Sequence, residues 1–175
     1  MSKFIIRKIF RAFLLASIFY IATLIAANTS ITRKEIHSEI VINAPASRVW
    51  QVLIDFKSYQ QWNPFIRKID GPAGQGNRIS AQMHLGNHTM PFRPTVLAVE
   101  PGKELRWLGH LLIPGIFDGK HSFIIEPLNE NSVRLIQHEE FNGLLVPFFT
   151  KLLEDTRSSF GEMNQALKER AEREN

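Results

Sequence analysis

The strongest candidates for chemistry in this sequence are two polar side chains that alternate with apolar ones. His121 precedes Phe123 at a spacing of two, and Glu139 lies between Leu135 and Phe141 at even spacings. Side chains two residues apart in a strand point to the same side, so these polar groups follow their apolar neighbours inward. A buried imidazole and carboxylate can act as general acid and base. The alternative is a structural or ligand-orienting pair, in which each group satisfies the other.

The same alternation adds further residues to this predicted interior face. Gln137 shares its side with Leu135, and Trp107 shares its side with Leu105. We therefore expect a largely apolar cavity lined by Trp107, His121, Phe123, Gln137 and Glu139, and closed by Phe148 and Leu152 of a C-terminal helix. No residue is assigned as catalytic, and His121 and Glu139 are the only candidates for such a role.

Other site types find no support in the pattern of residues. The six histidines include His84 and His88 on either side of a Gly86-Asn87 turn, but a two-residue hairpin places these two on opposite faces. The chain has no cysteine and no H-E-x-x-H spacing, so we expect no metal site. Phosphate-binding loops, G-x-S-x-G elbows and dinucleotide fingerprints are also absent, and we expect no cofactor.

Charge is concentrated at the N-terminus of the chain. The net charge is +4, but residues 1–35 alone carry +5 and the remainder carries −1. The rest of the chain therefore lacks the basic surface that nucleic-acid binding requires, and no nucleic-acid partner is expected.

The N-terminal segment has the composition of a membrane anchor. Residues 12–32 contain no charged side chain. The length of this run, 21 residues, is close to the roughly 20 residues that span a bilayer as a helix. Residues 1–11 carry four basic residues, against two in the predicted 33–35 linker, so we expect a cytoplasmic N-terminus and a domain outside the cytoplasm. Two alternatives remain: a signal peptide cleaved after Ala27, which would leave a secreted domain, and a buried soluble helix.

The remaining residues, 36–173, predict one α+β domain. A strand at 37–42 is followed by a helix with Pro45 in its first turn and by a second short helix that ends at Pro64. Strands are predicted at 77–85, 88–99, 104–112, 116–126 and 132–141, and a long amphipathic helix at 144–173. Burial of one sheet face beneath this helix leaves space for a ligand between them.

Four segments together resemble the SRPBCC (START-like) superfamily, in particular its polyketide cyclase/dehydrase and lipid-transport branch. The segments begin at Ile42, Tyr59, Gly143 and Phe160, and read I-x-A-P-A-x-x-V-W-x-V-L-x-D-F, Y-x-x-W-N-P-F, G-L-L-V-P and F-x-x-M-N-x-A-L-K. The resemblance implies a helix-grip fold, in which a curved antiparallel sheet of about seven strands wraps around the long helix. It also implies an internal pocket for hydrophobic ligands, but it carries over no catalytic residue.

Three functions follow as hypotheses. The first is binding of a hydrophobic small molecule or lipid by a membrane-tethered, monomeric domain. The second is a cyclase- or dehydratase-like enzyme that uses His121 and Glu139. The third is an interaction module with a filled core, which an apolar cavity would disfavour.

Overall fold

The computed structural model describes residues 32–86 and 88–173 of the 175-residue chain. The strands are β1 (Arg33–Ile42), β2 (Ile66–Asp70), β3 (Ser80–Leu85), β4 (His88–Phe92), β5 (Thr95–Glu100), β6 (Glu104–His110), β7 (Asp118–Asn129) and β8 (Ser132–Asn142). The helices are α1 (Ala46–Ile54), α2 (Tyr59–Trp62) and α3 (Thr150–Glu172), with short 3-10 helices at Phe56–Ser58 and Val146–Phe148.

The strands form two antiparallel sheets. One has the order β1-β8-β7-β6-β5 and the other has the order β2-β3-β4. The prediction of one strand over 88–99 is wrong, because the chain leaves the small sheet at Arg93-Pro94 and enters the large one. Proline has no N–H to donate to a ladder, which suits it to this change of sheet. Strand β2 was not predicted from the sequence.

Helix α3 packs against β1, α1, α2 and β3, so the predicted α+β helix-grip architecture is confirmed. Its buried residues recur at helical spacing. The helix begins at Thr150 rather than at the predicted residue 144, since Pro147 lies in a preceding 3-10 turn. The predicted linker at 33–35 is also wrong, because these residues pair with β8 as the start of β1.

The corner between α1 and β2 is held by two buried polar side chains. Tyr59 donates its hydroxyl to the carbonyl of Leu53 at 2.6 Å, and burial raises the pKa of this phenol. The Asn63 side-chain oxygen accepts hydrogen bonds from the backbone N–H groups of Phe65 and Ile66 at 2.9 and 2.8 Å. Asn63 thus has the local, structural role that its position before Pro64 suggests.

The predicted anchor at residues 12–32 and the basic segment at 1–11 lie outside the described residues, apart from Thr32. Among the residues that the structure does describe, no helix is long and apolar enough to cross a bilayer.

Candidate ligand-binding site

The polar centre of the site is a row of side chains across three neighbouring strands. Trp107 of β6 is paired with His121 of β7, which is in turn paired with Glu139 of β8. All three are buried, on the face that carries the apolar residues of each strand. The register therefore brings together residues that are up to 32 positions apart in the sequence.

His121 and Glu139 form a buried hydrogen-bonded pair. The distance from His121 Nδ1 to Glu139 Oε2 is 2.6 Å, so a proton lies between the two atoms. The Trp107 ring stacks on the imidazole with the ring centroids 5.4 Å apart, and the rings of Phe123 and Phe160 make T-shaped contacts with it at 4.4 and 4.7 Å. Aromatic rings thus fix the orientation of the imidazole on three sides.

The second ring nitrogen of His121 makes no hydrogen bond to the described residues. This atom, Nε2, is buried. With Nδ1–H donated to a carboxylate, Nε2 is the acceptor of a neutral ring or the donor of a charged one. A buried polar atom without a partner costs about 1–3 kcal/mol, which a ligand hydroxyl or carbonyl could offset.

Two paired glycines make room for this arrangement. Gly109 of β6 is paired with Gly119 of β7, next to the Trp107–His121 row. A Cβ atom on Gly119 would lie 2.5 Å from the Glu139 side chain, and one on Gly109 would lie 2.0 Å from the Phe92 ring. Both distances are too short for any side chain, so glycine here allows the carboxylate and the ring to lie over the strands.

A cavity of about 410 Å³ lies over this row, between the large sheet, the small sheet and helix α3. Its volume falls within the range of roughly 300–1,000 Å³ that is usual for small-molecule sites. Its walls are predominantly apolar, and the polar residues that the large sheet contributes to its lining are His110, His121 and Glu139, of which only His121 and Glu139 are buried.

The structure places four of the seven predicted ligand-contacting residues on the cavity wall: Trp107, His121, Glu139 and Leu152. Phe123 and Gln137 are fully buried but lie outside the lining. Phe123 packs on the rings of Trp107 and His121. Gln137 donates to the Phe160 carbonyl and the Asn164 side-chain oxygen at 3.3 and 2.7 Å, so it ties β8 to α3.

The prediction for Phe148 is wrong. Its side chain is 79% exposed, in the 3-10 turn before α3 rather than on the helix. The neighbouring residue Phe149 lines the cavity instead, and its ring meets that of Phe117 at 5.1 Å. The turn at Pro147 shifts the helical phase, so extending the period of α3 backward selects the wrong phenylalanine.

The far wall of the cavity was not predicted from the sequence. It comes mainly from the small sheet and the chain leading to β5, and it contains Ile79, Ala81, Met83, Leu85, Met90, Phe92, Arg78 and Arg93. The signal was present, because Ile79, Ala81, Met83 and Leu85 alternate in the sequence. The position of this apolar face opposite the large sheet depends on the change of sheet at Pro94. The alternation of residues does not reveal that change.

No group of three or more potential metal ligands occurs within residues 32–86 and 88–173. Leu85 pairs with His88 across the hairpin, as the turn predicted, which leaves His84 on the other face.

The chain belongs to the family described as polyketide cyclase / dehydrase and lipid transport, which it matches over residues 33–172. This agrees with the resemblance to the SRPBCC superfamily drawn from the four sequence segments. None of the curated proteins is detectably similar to it in sequence.

Solved structures share the fold at low sequence identity. The Zhui aromatase/cyclase from Streptomyces sp. R1128 is 15% identical with a TM-score of 0.69, covering 81% of this chain and 95% of that one. Norcoclaurine synthase from Thalictrum flavum is 17% identical with a TM-score of 0.66, covering 84% and 99%. A START superfamily protein from Mycobacterium smegmatis is 20% identical with a TM-score of 0.63, covering 81% and 99%. At these identities the likeness shows the fold alone.

Proposed function

We propose that this protein binds a hydrophobic small molecule or lipid in the cavity beneath α3, and that residues 12–32 tether it to a membrane. The observation that carries the proposal is the apolar cavity of about 410 Å³ with one buried polar centre, His121–Glu139. Such a site suits a ligand with a large apolar body and one hydroxyl or carbonyl group, which would meet His121 Nε2. An interaction module with a filled core would have no need of this space.

Native mass spectrometry of the purified protein, incubated with a lipid extract, tests the binding. We expect a bound species of defined mass that survives gentle activation. A protein that carries no adduct from any extract, at any ratio tested, would contradict the proposal.

A matched pair of variants locates the ligand. His121→Ala should change affinity modestly and selectivity for the ligand's polar group more, because it removes the buried polar centre. His138→Ala is the control, since His138 lies on the outer face of the neighbouring strand β8, beside Glu35. Equal effects of the two variants would place the ligand elsewhere.

A second candidate function is acid–base catalysis by the same pair, and the unpartnered Nε2 of His121 favours it. Nε2 is free to take a proton from a bound substrate, while Glu139 stabilises the imidazolium at 2.6 Å. An enzyme would lose turnover but retain binding in His121→Ala and Glu139→Gln. If the ligand is recovered chemically unchanged from the parent protein and from both variants, no reaction takes place and binding is the function.

The tether is supported by the uncharged run at 12–32 and its basic flanks. Carbonate extraction of membranes that contain the full chain tests it: an anchored protein stays in the membrane pellet, and a cleaved or soluble one is released. A topology reporter fused after Asn175 should report a location outside the cytoplasm.

A further inference from the structure

We infer that two loops at one end of the domain dock on the surface of a lipid bilayer. The surface consists of Leu111, Leu112, Ile113, Leu144 and Phe148, and is called here the apolar tip. In the described part of the chain, seven large apolar side chains are exposed, and five of them belong to this tip. Contiguous exposed apolar surface of this kind marks an interaction site, whereas isolated exposed residues do not.

The two loops form one continuous structure. The backbone N–H of Leu144 donates to the carbonyl of Gly115 at 3.1 Å, and the backbone N–H of Leu145 donates to the carbonyl of Ile116 at 2.9 Å. The apolar residues from the β6–β7 loop and from the turn after β8 therefore lie side by side.

Side-chain hydrogen bonds of Asp118 fix the shape of the β6–β7 loop. The Asp118 carboxylate binds His110 Nδ1 at 2.7 Å, which closes the base of the loop, and it accepts a hydrogen bond from the backbone N–H of Gly115 within the loop at 2.9 Å. Leu112 has φ 68 and is 82% exposed. Leucine rarely adopts this conformation, and an exposed turn would be served better by glycine or asparagine. Local stability therefore does not explain a leucine here.

The strand register, taken together with the proposed tether, favours a bilayer as the occupant of the apolar tip. Arg33, where the upstream chain enters β1, is paired with Asn142, which is itself paired with Asp118. The chain that follows the apolar run at 12–32 thus enters the domain at the same end of the sheet as the apolar tip. A domain tethered at this end has its apolar tip close to the membrane that holds the tether.

The tip also adjoins the cavity. Leu111 of the exposed loop lines it, as do Phe117 and Phe149 from the same pair of loops. Docking through the tip would place this side of the cavity next to lipid, so that an apolar ligand could move between bilayer and cavity without crossing water. The inference rests on the proposed tether, but it does not require that the cavity be occupied.

Site-specific fluorescence tests the docking on the full chain reconstituted into phosphatidylcholine vesicles. The chain has no cysteine, so single-cysteine variants accept one environment-sensitive dye each. We choose Leu112→Cys and Phe148→Cys at the tip. Leu128→Cys is the matched control, because this exposed residue lies about 33 Å further along β7 from Asp118.

The dye at 112 and at 148 should shift to shorter wavelength and lose most of its emission when the vesicles contain nitroxide-labelled lipid. The dye at 128 should do neither. Absence of quenching at 112 and 148, or equal quenching at 128, would overturn the inference. A blue shift that requires no lipid and grows with protein concentration would also overturn it, since it would identify a second copy of the chain as the occupant.

Carbonate extraction of the same samples separates the two proposals. An anchored chain whose tip dyes are not quenched contradicts the docking alone. A chain released by carbonate, whose tip dyes are nevertheless quenched by added vesicles, contradicts the tether and supports the docking.

Discussion

The two halves of helix α3 face different surroundings. Met163, Leu167 and Ala171, in the C-terminal half, have no exposed surface, and this half is hydrogen-bonded to β1 and β8. In the N-terminal half, Leu152 and Thr156 line the cavity, and Leu152 is only partly buried. One amphipathic helix thus closes a solid core at one end and covers an open space at the other.

This difference separates stability from binding within one element. Side chains that fill close-packed space contribute strongly to the free energy of unfolding, and those that face a cavity contribute less because they make fewer contacts. We expect substitutions in the C-terminal half to change the free energy of unfolding, and those in the N-terminal half to change ligand affinity.

The largest effect is expected for Leu167→Ala. This fully buried side chain leaves a void when truncated, which should lower the free energy of unfolding by about 2–5 kcal/mol. Denaturant melts measure the loss. Gln165→Ala, on the exposed side of the same helix, should change it by less than about 0.5 kcal/mol. Similar losses in the two variants would show that the C-terminal half is not packed as described.

The polar link between helix and sheet should have the next largest effect. Asn164 accepts from Gln137 Nε2 at 2.7 Å and donates to the Ser38 hydroxyl at 3.0 Å. Asn164→Ala removes both bonds within the core and should cost about 1–3 kcal/mol. Ser38→Ala removes one of them and should cost less. A larger loss in Ser38→Ala than in Asn164→Ala would contradict this order.

The sequence predicted the large sheet better than the cavity. Alternation along β6, β7 and β8 placed Trp107, His121 and Glu139 on the inner face, because a half-buried strand has a period of two. Their contact across the strands needs the register as well, and the register follows from pairing of distant segments, which no local pattern contains.

For helix α3, too, the local sequence pattern predicted the element but not its surroundings. Its period predicted an amphipathic helix with one apolar side, and Leu152 and Leu153 on that helix are only partly buried in the structure. A period of 3.6 indicates which face turns inward, but it does not indicate whether that face meets side chains or a cavity. Phe148 was misplaced for a related reason, since the 3-10 turn changes the phase before α3 begins.

A smaller effect on stability is expected for Leu152→Ala, in the half that faces the cavity. Leu152 is only partly buried and makes fewer contacts than a packed leucine, so the loss of free energy of unfolding should stay below about 1 kcal/mol. Affinity for the ligand found by mass spectrometry should change, because Leu152 is part of the cavity wall. A loss of 2 kcal/mol or more, on the scale of a packed core leucine, would show that Leu152 belongs to the core.

The smallest effect is expected at the end of α3, and it depends on pH. Glu172 accepts hydrogen bonds from Lys168 Nζ at 2.5 Å and from the Asn43 backbone N–H at 2.6 Å, and these interactions hold its pKa below the usual range. A carboxyl group with a lowered pKa in the folded state stabilises the fold above its unfolded pKa of about 4.3. This contribution is lost as the pH falls through the lower, folded value.

Glu172→Gln should therefore lower the free energy of unfolding at pH 7 by less than about 1 kcal/mol, the scale of a partly exposed ion pair. The difference from the parent protein should shrink as the pH falls below about 4, because both proteins are then uncharged at this position. Denaturant melts at several pH values measure it, and Glu162→Gln on the exposed side of α3 is the control. A difference that grows as the pH falls would reverse the sign of the linkage, and would show that this end of α3 is not held to the β1–α1 loop by an ionised carboxylate.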